Sequence, residues 1–354
     1  MKVLTRRFSR ARKLAALVAM GVFLTPTLAG ALEDECPKWF PDFRCDRQGR
    51  YEGFVPPVTM PYLFEDPFIT TGVQLVGIWH QSPGQSAFGG GDTGVLALQA
   101  RIAITDRFAF IATRDGYMWN RPDTNLATPG GSLKVLDDQD GWMDIAAGFK
   151  YAVFDMPEHQ FIFTPALRFQ IPVGQRKVFQ GNGSGLIIPS FSTAKGFGKF
   201  HTILNFGANI PFDTQKNNTN LFYNLHFDYA VLSWLVPFLE MNGMSYVGAG
   251  DGSTTIKTAL AGALGPAFSH PSVRTAQSAL FVPGAQVNDL YWDGFDVANL
   301  GSDGIGGRNS LTMATGFRFP ITPKVSIGVA YEFPIAGKKW LFKQRVTSSL
   351  SWEL

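Results

Sequence analysis

The sequence predicts an all-β fold: a transmembrane antiparallel up-and-down β-barrel of about 12 strands, preceded by a periplasmic N-terminal arm. Segments of about ten to thirteen residues alternate with a period of two, as strands with two different faces do. One face carries large apolar residues edged by aromatics, and the other carries mainly Gly, Ala, Ser, Thr and Asn. The links between segments are alternately short and long, which is typical of outer-membrane barrels.

The segment that ends at residue 354 shows why the pattern indicates a membrane. Val346, Leu350, Trp352 and Leu354 share one face of this strand, and Lys, Arg, Thr, Ser and Glu occupy the other. A soluble sandwich exposes faces dense in Lys and Glu, whereas most second faces in this chain are small and mildly polar. We therefore expect lipid outside and a polar lumen inside. An open strand edge is not tolerated in hydrocarbon, so the last strand should pair with the first.

Composition also favours a membrane protein that crosses with strands. The chain has 354 residues, of which 45% are hydrophobic and 17% are charged, against roughly 25% charged residues in soluble domains. Beyond residue 31, no stretch offers the roughly 20 uninterrupted apolar residues that a membrane helix needs.

Residues 1–31 are predicted to be a secretory signal peptide. A basic segment precedes the apolar run KLAALVAMGVFL, and Ala29-Gly30-Ala31 is a suitable cleavage site. The alternative, a transit peptide, would be richer in Ser and would lack the apolar run. The segment holds six basic and no acidic residues, so its removal changes the formal net charge from +3 to −3. We therefore expect no nucleic-acid partner. The signal peptide together with the predicted barrel indicates a location in the outer membrane of a Gram-negative bacterium.

The remaining chain divides into two regions. Residues 32–67 are rich in Pro and aromatic residues and show neither period, which predicts an irregular periplasmic arm or a plug. Residues 68–354 are predicted to form the barrel. Cys36 and Cys45 are expected to form a disulfide in an exported protein, because a metal site would need more ligands.

The alternation and the turn residues give the strand positions. An even number of strands places both ends of the barrel on the periplasmic side. The segments near 107–119 and 185–196 alternate poorly, so one of them could be shifted or lost. The predicted strands are 68–80, 93–104, 107–119, 141–153, 159–171, 185–196, 198–210, 219–230, 233–247, 308–320, 324–336 and 342–354.

Under this register a set of charged and histidine side chains faces the lumen. One interpretation is a passage lined by both signs, which would select weakly among permeants. The other is a filled interior in which these charges pair and seal the barrel. Twelve strands lie near the boundary between the two, and we favour a narrow or gated passage. The predicted lumen-lining residues are Arg101, Asp144, Lys150, Arg168, His201, His226, Asp228, Glu240, Arg318, Glu332 and Arg345, together with Lys343.

The longest link, residues 248–307, is expected to lie on the outer side. A loop of this length is usually functional or disordered. Folded into the barrel mouth it would constrict the pore, which we favour, and exposed it would form a binding surface. Its acidic residues Asp289, Asp293, Asp296 and Asp303 do not match the spacing of a calcium loop, so we interpret them as solvated.

No catalytic, cofactor or metal site is predicted. The five histidines include no ligand-spaced pair. The string His270-Pro271-Ser272 leaves a lipid hydrolase as a less favoured alternative. Nucleophile and base must lie about 2.6 to 3.2 Å apart with a third group to orient them, and a loop position beside a proline does not ensure that geometry.

One stretch of the barrel resembles a known family. It contains Pro172-Val173-Gly174 at a strand end, a Gly-rich loop from Gly181 to Gly185, and Asn205-Phe206-Gly207 in the following strand pair. In these elements, over roughly forty-five residues, the chain resembles outer-membrane barrels of the phenol-degradation meta-pathway transporter family. The resemblance implies uptake of aromatic or other hydrophobic compounds, and it identifies no catalytic residue.

The chain end also resembles the terminal signature that the outer-membrane assembly machinery reads. Leu354 stands where an aromatic residue is usual, although Trp352 lies two residues earlier. The resemblance implies that this machinery is a partner of the protein.

These observations predict an outer-membrane channel or transporter, of the porin kind, that passes small solutes, including hydrophobic or aromatic ones, by diffusion. The expected partners are outer-membrane lipid, small-molecule solutes and the assembly machinery. The alternative is a closed structural or binding barrel that presents its outer loops.

Overall fold

The computed structural model describes most of the predicted barrel. The described residues are 50–51, 53–83, 88, 90–123, 125–128, 131–134, 136–250, 294–301, 307–337 and 342–354. The predicted signal peptide, both cysteines and most of the 248–307 loop lie outside these residues. Among the described residues, no helix is long and apolar enough to span a membrane.

The described chain is almost entirely β-structure, with two single-turn 3-10 helices at Pro157–His159 and Arg176–Val178. The strands are β1 Gly72–Gln81, β2 Asp92–Ala103, β3 Phe108–Arg114, β4 Tyr117–Arg121, β5 Asn125–Thr128, β6 Gly131–Lys134, β7 Gln139–Trp142, β8 Ile145–Tyr151, β9 Phe154–Met156, β10 Phe161–Ile171, β11 Leu186–Phe197, β12 Phe200–Pro211, β13 Thr219–Tyr229, β14 Val236–Gly248, β15 Gly294–Phe295, β16 Asn299–Gly301, β17 Arg308–Pro320, β18 Val325–Gly337 and β19 Gln344–Glu353.

Fifteen of these strands form a closed antiparallel barrel of twelve, as predicted, and β5 with β6 and β15 with β16 form two separate pairs. The third barrel strand consists of β3 and β4, interrupted at Asp115-Gly116, and the fourth consists of β7 and β8, interrupted at Met143-Asp144. Gly116 has a φ of +113°, a conformation that side chains with a Cβ disfavour. This interruption accounts for the weak alternation near 107–119, whereas β11 forms without a break close to its predicted position.

The barrel closes between its first and last strands. β1 pairs with β2 on one side and with β19 on the other, in a register that runs from Gly72 opposite Glu353 to Gln81 opposite Gln344. The Leu354 amide then donates to the Thr71 carbonyl at 2.9 Å. No edge is left between β1 and β19, as expected for a sheet surrounded by hydrocarbon.

Large apolar side chains cover the outer face of the barrel. Leu98, Phe149, Phe169 and Phe317 are exposed, Phe317 by 50%. Exposed apolar surface of this extent is unfavourable in water, whereas lipid matches it. Lys343, predicted to face the lumen, is instead exposed, because β19 begins only at Gln344.

A segment that precedes β1 lies inside the barrel; we call residues 53–68 the plug. Its polypeptide turns back at the apex, where the Leu63 and Phe64 amides both donate to the Met60 carbonyl at 2.9 Å. The segment then returns to the barrel end at which β1 starts, so it enters and leaves the lumen at the same end. Phe54 and Phe68, one near each end of the plug, pack 5.2 Å apart between ring centroids.

Candidate functional site

The candidate site is the contact between the plug and the inner wall of the barrel. Of the eleven residues predicted to line the lumen, ten are buried, and the Arg101 side chain is 11% exposed. Five of them bond to the plug itself, and the others bond to one another or to the loops. The five that bond to the plug are Arg101, Lys150, Arg168, Glu240 and Arg318.

Glu65 of the plug is held by two wall cations. Arg101 forms a two-pronged pair with it, Nε to Oε1 at 2.9 Å and Nη2 to Oε2 at 2.8 Å. Lys150 Nζ donates to Glu65 Oε1 at 2.7 Å and to the Asp66 carbonyl at 2.9 Å. Ser192 on β11 donates to the Glu65 carbonyl at 2.5 Å. Glu65 therefore bonds to three strands of the wall, β2, β8 and β11.

The charge environment of Glu65 favours its ionised form. Burial raises the pKa of this carboxyl, but the positive charges of Arg101 and Lys150 outweigh that effect and lower the pKa to about 2. Glu65 is therefore a carboxylate throughout the ordinary pH range, and the contact is an ion pair.

Two buried arginines hold plug carbonyl groups. Arg168 donates to the Tyr62 carbonyl at 3.1 Å and to the Leu63 carbonyl at 3.2 Å. Arg318 donates to the Pro57 carbonyl at 3.3 Å and also to wall serines on β18 and β19. These bonds satisfy plug main-chain groups that have no sheet partner, as buried backbone groups require.

A chain of titratable side chains anchors the part of the plug that precedes its apex. Glu240 on β14 accepts the Val58 amide at 2.9 Å and the Thr59 amide at 2.8 Å. His226 Nδ1 lies 2.8 Å from Glu240, and its Nε2 lies 3.1 Å from Asp228. Asp228 in turn lies 2.6 Å from His201 Nδ1 on β12. A continuous network therefore runs from the plug backbone through β14 and β13 to β12.

The long loop also reaches the plug. Asp296, between β15 and β16, is buried and pairs with Arg345 on β19, and it accepts the hydroxyl of Tyr62 at the plug apex. Arg345 also lies 3.4 Å from Glu332. The expectation that Asp296 is solvated is therefore wrong, because this part of the loop folds into the barrel, where Arg345 supplies a counter-charge. Asp289, Asp293 and Asp303 lie outside the described residues.

Asp144 serves the wall rather than the plug. It accepts the amides of Gly174 at 3.0 Å and Gly181 at 2.8 Å, and Gln170 donates to it at 2.9 Å. These contacts fix the Pro-x-Gly element and the Gly-rich loop beside the barrel mouth.

Several residues at the site have no counterpart in the sequence prediction. Glu65 lies in a segment without periodicity, so no pattern marks it. Arg114 on β3 donates to the Val297 carbonyl of the long loop at 3.0 Å. Because the strand is interrupted directly after Arg114, the alternation of the sequence does not indicate that this side chain points inward. A row of neutral side chains could have been found from shared parity, because Ser192, Asn205, Asn224 and Asn242 are direct cross-strand neighbours.

The contacts at the site are those of binding between the wall and a peptide segment. In the described part of the chain, no group of three His, Cys, Asp or Glu side chains is placed to hold a metal ion. The His270 and Ser272 pair lies outside the described residues. What the site provides is a polar wall that grips a peptide segment through ion pairs and hydrogen bonds.

No family model matches the chain, and no curated protein matches it. The resemblance to the phenol-degradation family is therefore not confirmed. An outer membrane channel from Pseudomonas putida F1 is similar in structure, with a TM-score of 0.46 and 12% identity, over 81% of this chain and 96% of that one.

Two porin structures are also similar to this chain. The NanC porin has a TM-score of 0.42 and 7% identity, over 80% of this chain and 100% of that one. The KdgM porin has a TM-score of 0.36 and 8% identity, over 79% and 99% respectively. Similarities of this strength carry no conclusion about function, and the barrel assignment rests on the strand pairing described above.

Proposed function

We propose that the protein is an outer-membrane channel for small solutes, held closed by its plug in the conformation described above. The observation that carries this proposal is the chemistry of the inner wall. The wall meets the plug through Arg101, Lys150, Arg168, Glu240 and Arg318. A wall of this kind suits a water-filled passage once the plug moves, whereas a permanently sealed barrel is more simply filled by apolar packing.

The orientation belongs to the same proposal. The even strand number and the apolar outer face support a barrel in the outer membrane of a Gram-negative bacterium with both ends periplasmic. The plug would then enter from the periplasm, and the loop that carries Asp296 would enter from outside. We propose hydrophobic and aromatic compounds among the solutes, since Ile188, Ile203 and Phe222 lie on the inner wall beside the polar groups.

A closed structural or binding barrel is the second candidate. It is favoured by apolar packing at the two ends of the plug, where Phe54 and Phe68 form a ring cluster with the preceding Tyr51. Under this reading the plug stays in place and the outer loops bind a partner. We assign no catalytic role to any residue in either candidate.

Solute entry into liposomes separates the two candidates. Glu240→Gln removes the charge of the carboxylate that accepts hydrogen bonds from the Val58 and Thr59 amides. Losing a hydrogen bond to a charged group costs about 1.5 to 3 kcal/mol. If the plug is mobile, swelling rates with small solutes should rise about tenfold or more. Glu158→Gln, on an exposed turn, is the matched control and should leave the rate unchanged. Barrels that remain solute-tight in both variants would favour the second candidate.

A further inference from the structure

Three wall cations at the site bond to the plug, two of them to its carboxylates and the third to its main chain. Arg101 lies on β2, Lys150 on β8 and Arg168 on β10, and only the β3 strand separates β2 from β8 in the sheet. Among the described residues, the carboxylates that pair with Arg101 and Lys150 both belong to the plug. Arg168 donates to two plug carbonyls and to Thr113 of the wall.

The geometry around Glu65 is that of a carboxylate-binding site. The two carboxylate oxygens accept from Nε and Nη2 on one edge of the Arg101 guanidinium, and Lys150 adds a third donor to Oε1. A two-pronged arginine contact recognises planar carboxylates by shape as well as by charge. The wall therefore presents a formed receptor, and one side chain of the same protein occupies it.

Displacement of the plug would leave this receptor without its occupant. Asp144, an acid of the same wall, is bonded to Gly174, Gly181 and Gln170. Arg101 would keep its bond to Gln74 and the field of Glu353 on β19, whereas Lys150 would lose both of its carboxylate partners. A cation in a confined space without a carboxylate partner is unfavourable, so the vacated wall would attract an anion from solution. A small carboxylate can make the same three contacts as Glu65.

We propose that Arg101 and Lys150 form a binding site for carboxylate-bearing solutes, with the positive charge of Arg168 beside it, and that Glu65 is the built-in occupant of this site. The solute competes with Glu65 for the cations, and anions, including carboxylates that carry an apolar or aromatic group, are among the solutes that the open lumen passes. The permeation part of this inference rests on the proposed channel function, and the binding part does not.

Chemical rescue of Glu65→Ala tests the binding part. This substitution removes the carboxylate and leaves room for a small one. The unfolding temperature of the full-length detergent-solubilised variant is measured in sodium acetate, sodium chloride and sodium phosphate at equal ionic strength, and in chloride with added acetamide. We expect acetate to raise the unfolding temperature of the variant, while chloride, phosphate and acetamide do not.

The controls are the wild-type protein and Glu65→Ala combined with Arg101→Gln, neither of which should respond to acetate. Equal responses to acetate and chloride, or a response to phosphate alone, would overturn the carboxylate site. If the variant does not fold in chloride, its refolding yield is measured in each salt. Recovery in acetate alone would support the site, and failure in every salt would overturn it.

The reversal potential in a potassium chloride gradient tests the permeation part. Glu65→Ala should show an anion preference in planar bilayers, and adding Lys150→Gln should reduce that preference. Acetate rescue with electrically silent bilayers would keep the site and contradict the channel function. Conductance without anion preference and without rescue would contradict this inference and leave the channel function standing.

Discussion

At the scale of single residues, the lumen is organised by charges whose partners are distant in the sequence. Glu65 lies 36 positions before Arg101 and 85 before Lys150. A buried charge is stable only when it is paired and hydrogen-bonded, so each of these groups restricts where the others can lie. The consequence is that a small set of ion pairs decides the position of the whole plug.

The Glu65 ion pairs predict a defined loss of stability in acid. The folded-state pKa of about 2 lies below the ordinary value of 4.5. A carboxyl with a depressed folded-state pKa contributes its stability fully above 4.5 and loses it as the pH falls from about 4.5 to about 2. We expect the unfolding temperature to fall across this window.

Glu65→Gln identifies the part of that fall due to this carboxyl. The variant lacks the titrating group, so its unfolding temperature should depend less on pH between 4.5 and 2 than that of the wild type. Glu158→Gln, on the exposed turn, should follow the wild-type curve. Parallel curves for the wild type and Glu65→Gln would show that the pairs with Arg101 and Lys150 do not hold the fold.

The outer face predicts a second residue-scale effect. Phe317 on β17 is 50% exposed, and arginine on the lipid face near the bilayer midplane costs about 2 to 4 kcal/mol. Phe317→Arg should lower the free energy of unfolding from lipid vesicles by that amount. Phe317→Leu keeps the face apolar and should cost much less. If both variants unfold alike, this face does not contact lipid.

Parity in the sequence predicts which side of a strand a wall residue occupies, but not its partner. Lys150 and Arg168 fall on the small, polar face of their strands, and the structure buries both. The identity of the partner could not be predicted, because Glu65 lies in an aperiodic segment and pairs over long sequence distances. Local pattern carries no information on such contacts.

At the scale of elements, two segments outside the barrel strands meet in the lumen. The plug contributes Tyr62 from its apex, and the long loop contributes Asp296, which also pairs with Arg345 on β19. Arg114 on β3 contacts both, with its guanidinium 5.3 Å above the Tyr62 ring and a bond to the Val297 carbonyl. The loop therefore contacts the plug apex and two nearby parts of the wall, β3 and β19, which are separated in the sheet by β1 and β2.

This junction predicts that the loop controls the plug. Asp296→Asn keeps the side-chain volume but removes the charge that faces Arg345, and breaking a buried ion pair costs on the order of 3 to 5 kcal/mol. We expect a lower unfolding temperature and a larger conductance in planar bilayers, because the plug apex loses a bonding partner.

A loop deletion that stops short of the junction is the matched control. Removing residues 270–290 retains Asp296, and loop length itself costs little free energy, so conductance should stay at the wild-type level. Removing residues 270–303 takes Asp296 away and should act like Asp296→Asn. If the short deletion opens the channel and Asp296→Asn does not, closure depends on another part of the loop.

The element boundaries show how far the pattern reaches. Strands with unbroken alternation, such as β10 and β13, lie close to their predicted positions. The third and fourth barrel strands differ, because the breaks at Gly116 and Asp144 split each of them in two. At the second break, Asp144 accepts the amides of Gly174 and Gly181, which lie outside its strand. Strand periodicity does not predict contacts of this kind.

At the scale of the whole molecule, a closed sheet with an apolar exterior surrounds a segment that is gripped by polar side chains. The barrel closes through the β1 and β19 ladder without help from the plug, so the wall and its filling are held by different interactions. The plug also has apolar contacts with the wall, among them those of Phe54, Leu63 and Phe68. Under the proposed channel function, the plug would exchange its ion pairs and hydrogen bonds for bonds to water or solute when it moves, while the ladder between β1 and β19 keeps the barrel closed.

The most direct test of the account is a planar-bilayer recording that reports plug movement and conductance together. Val58 is fully buried in the plug, so Val58→Cys, in a protein that also carries Cys36→Ser and Cys45→Ser, has a shielded thiol while the plug is in place. A charged methanethiosulfonate reagent can modify it only when the plug leaves, and the modified plug cannot return. If the channel opens by plug movement, the reagent should convert brief openings into sustained conductance, and the cysteine-free protein should not respond. Openings that occur while this thiol stays unreactive would contradict the account.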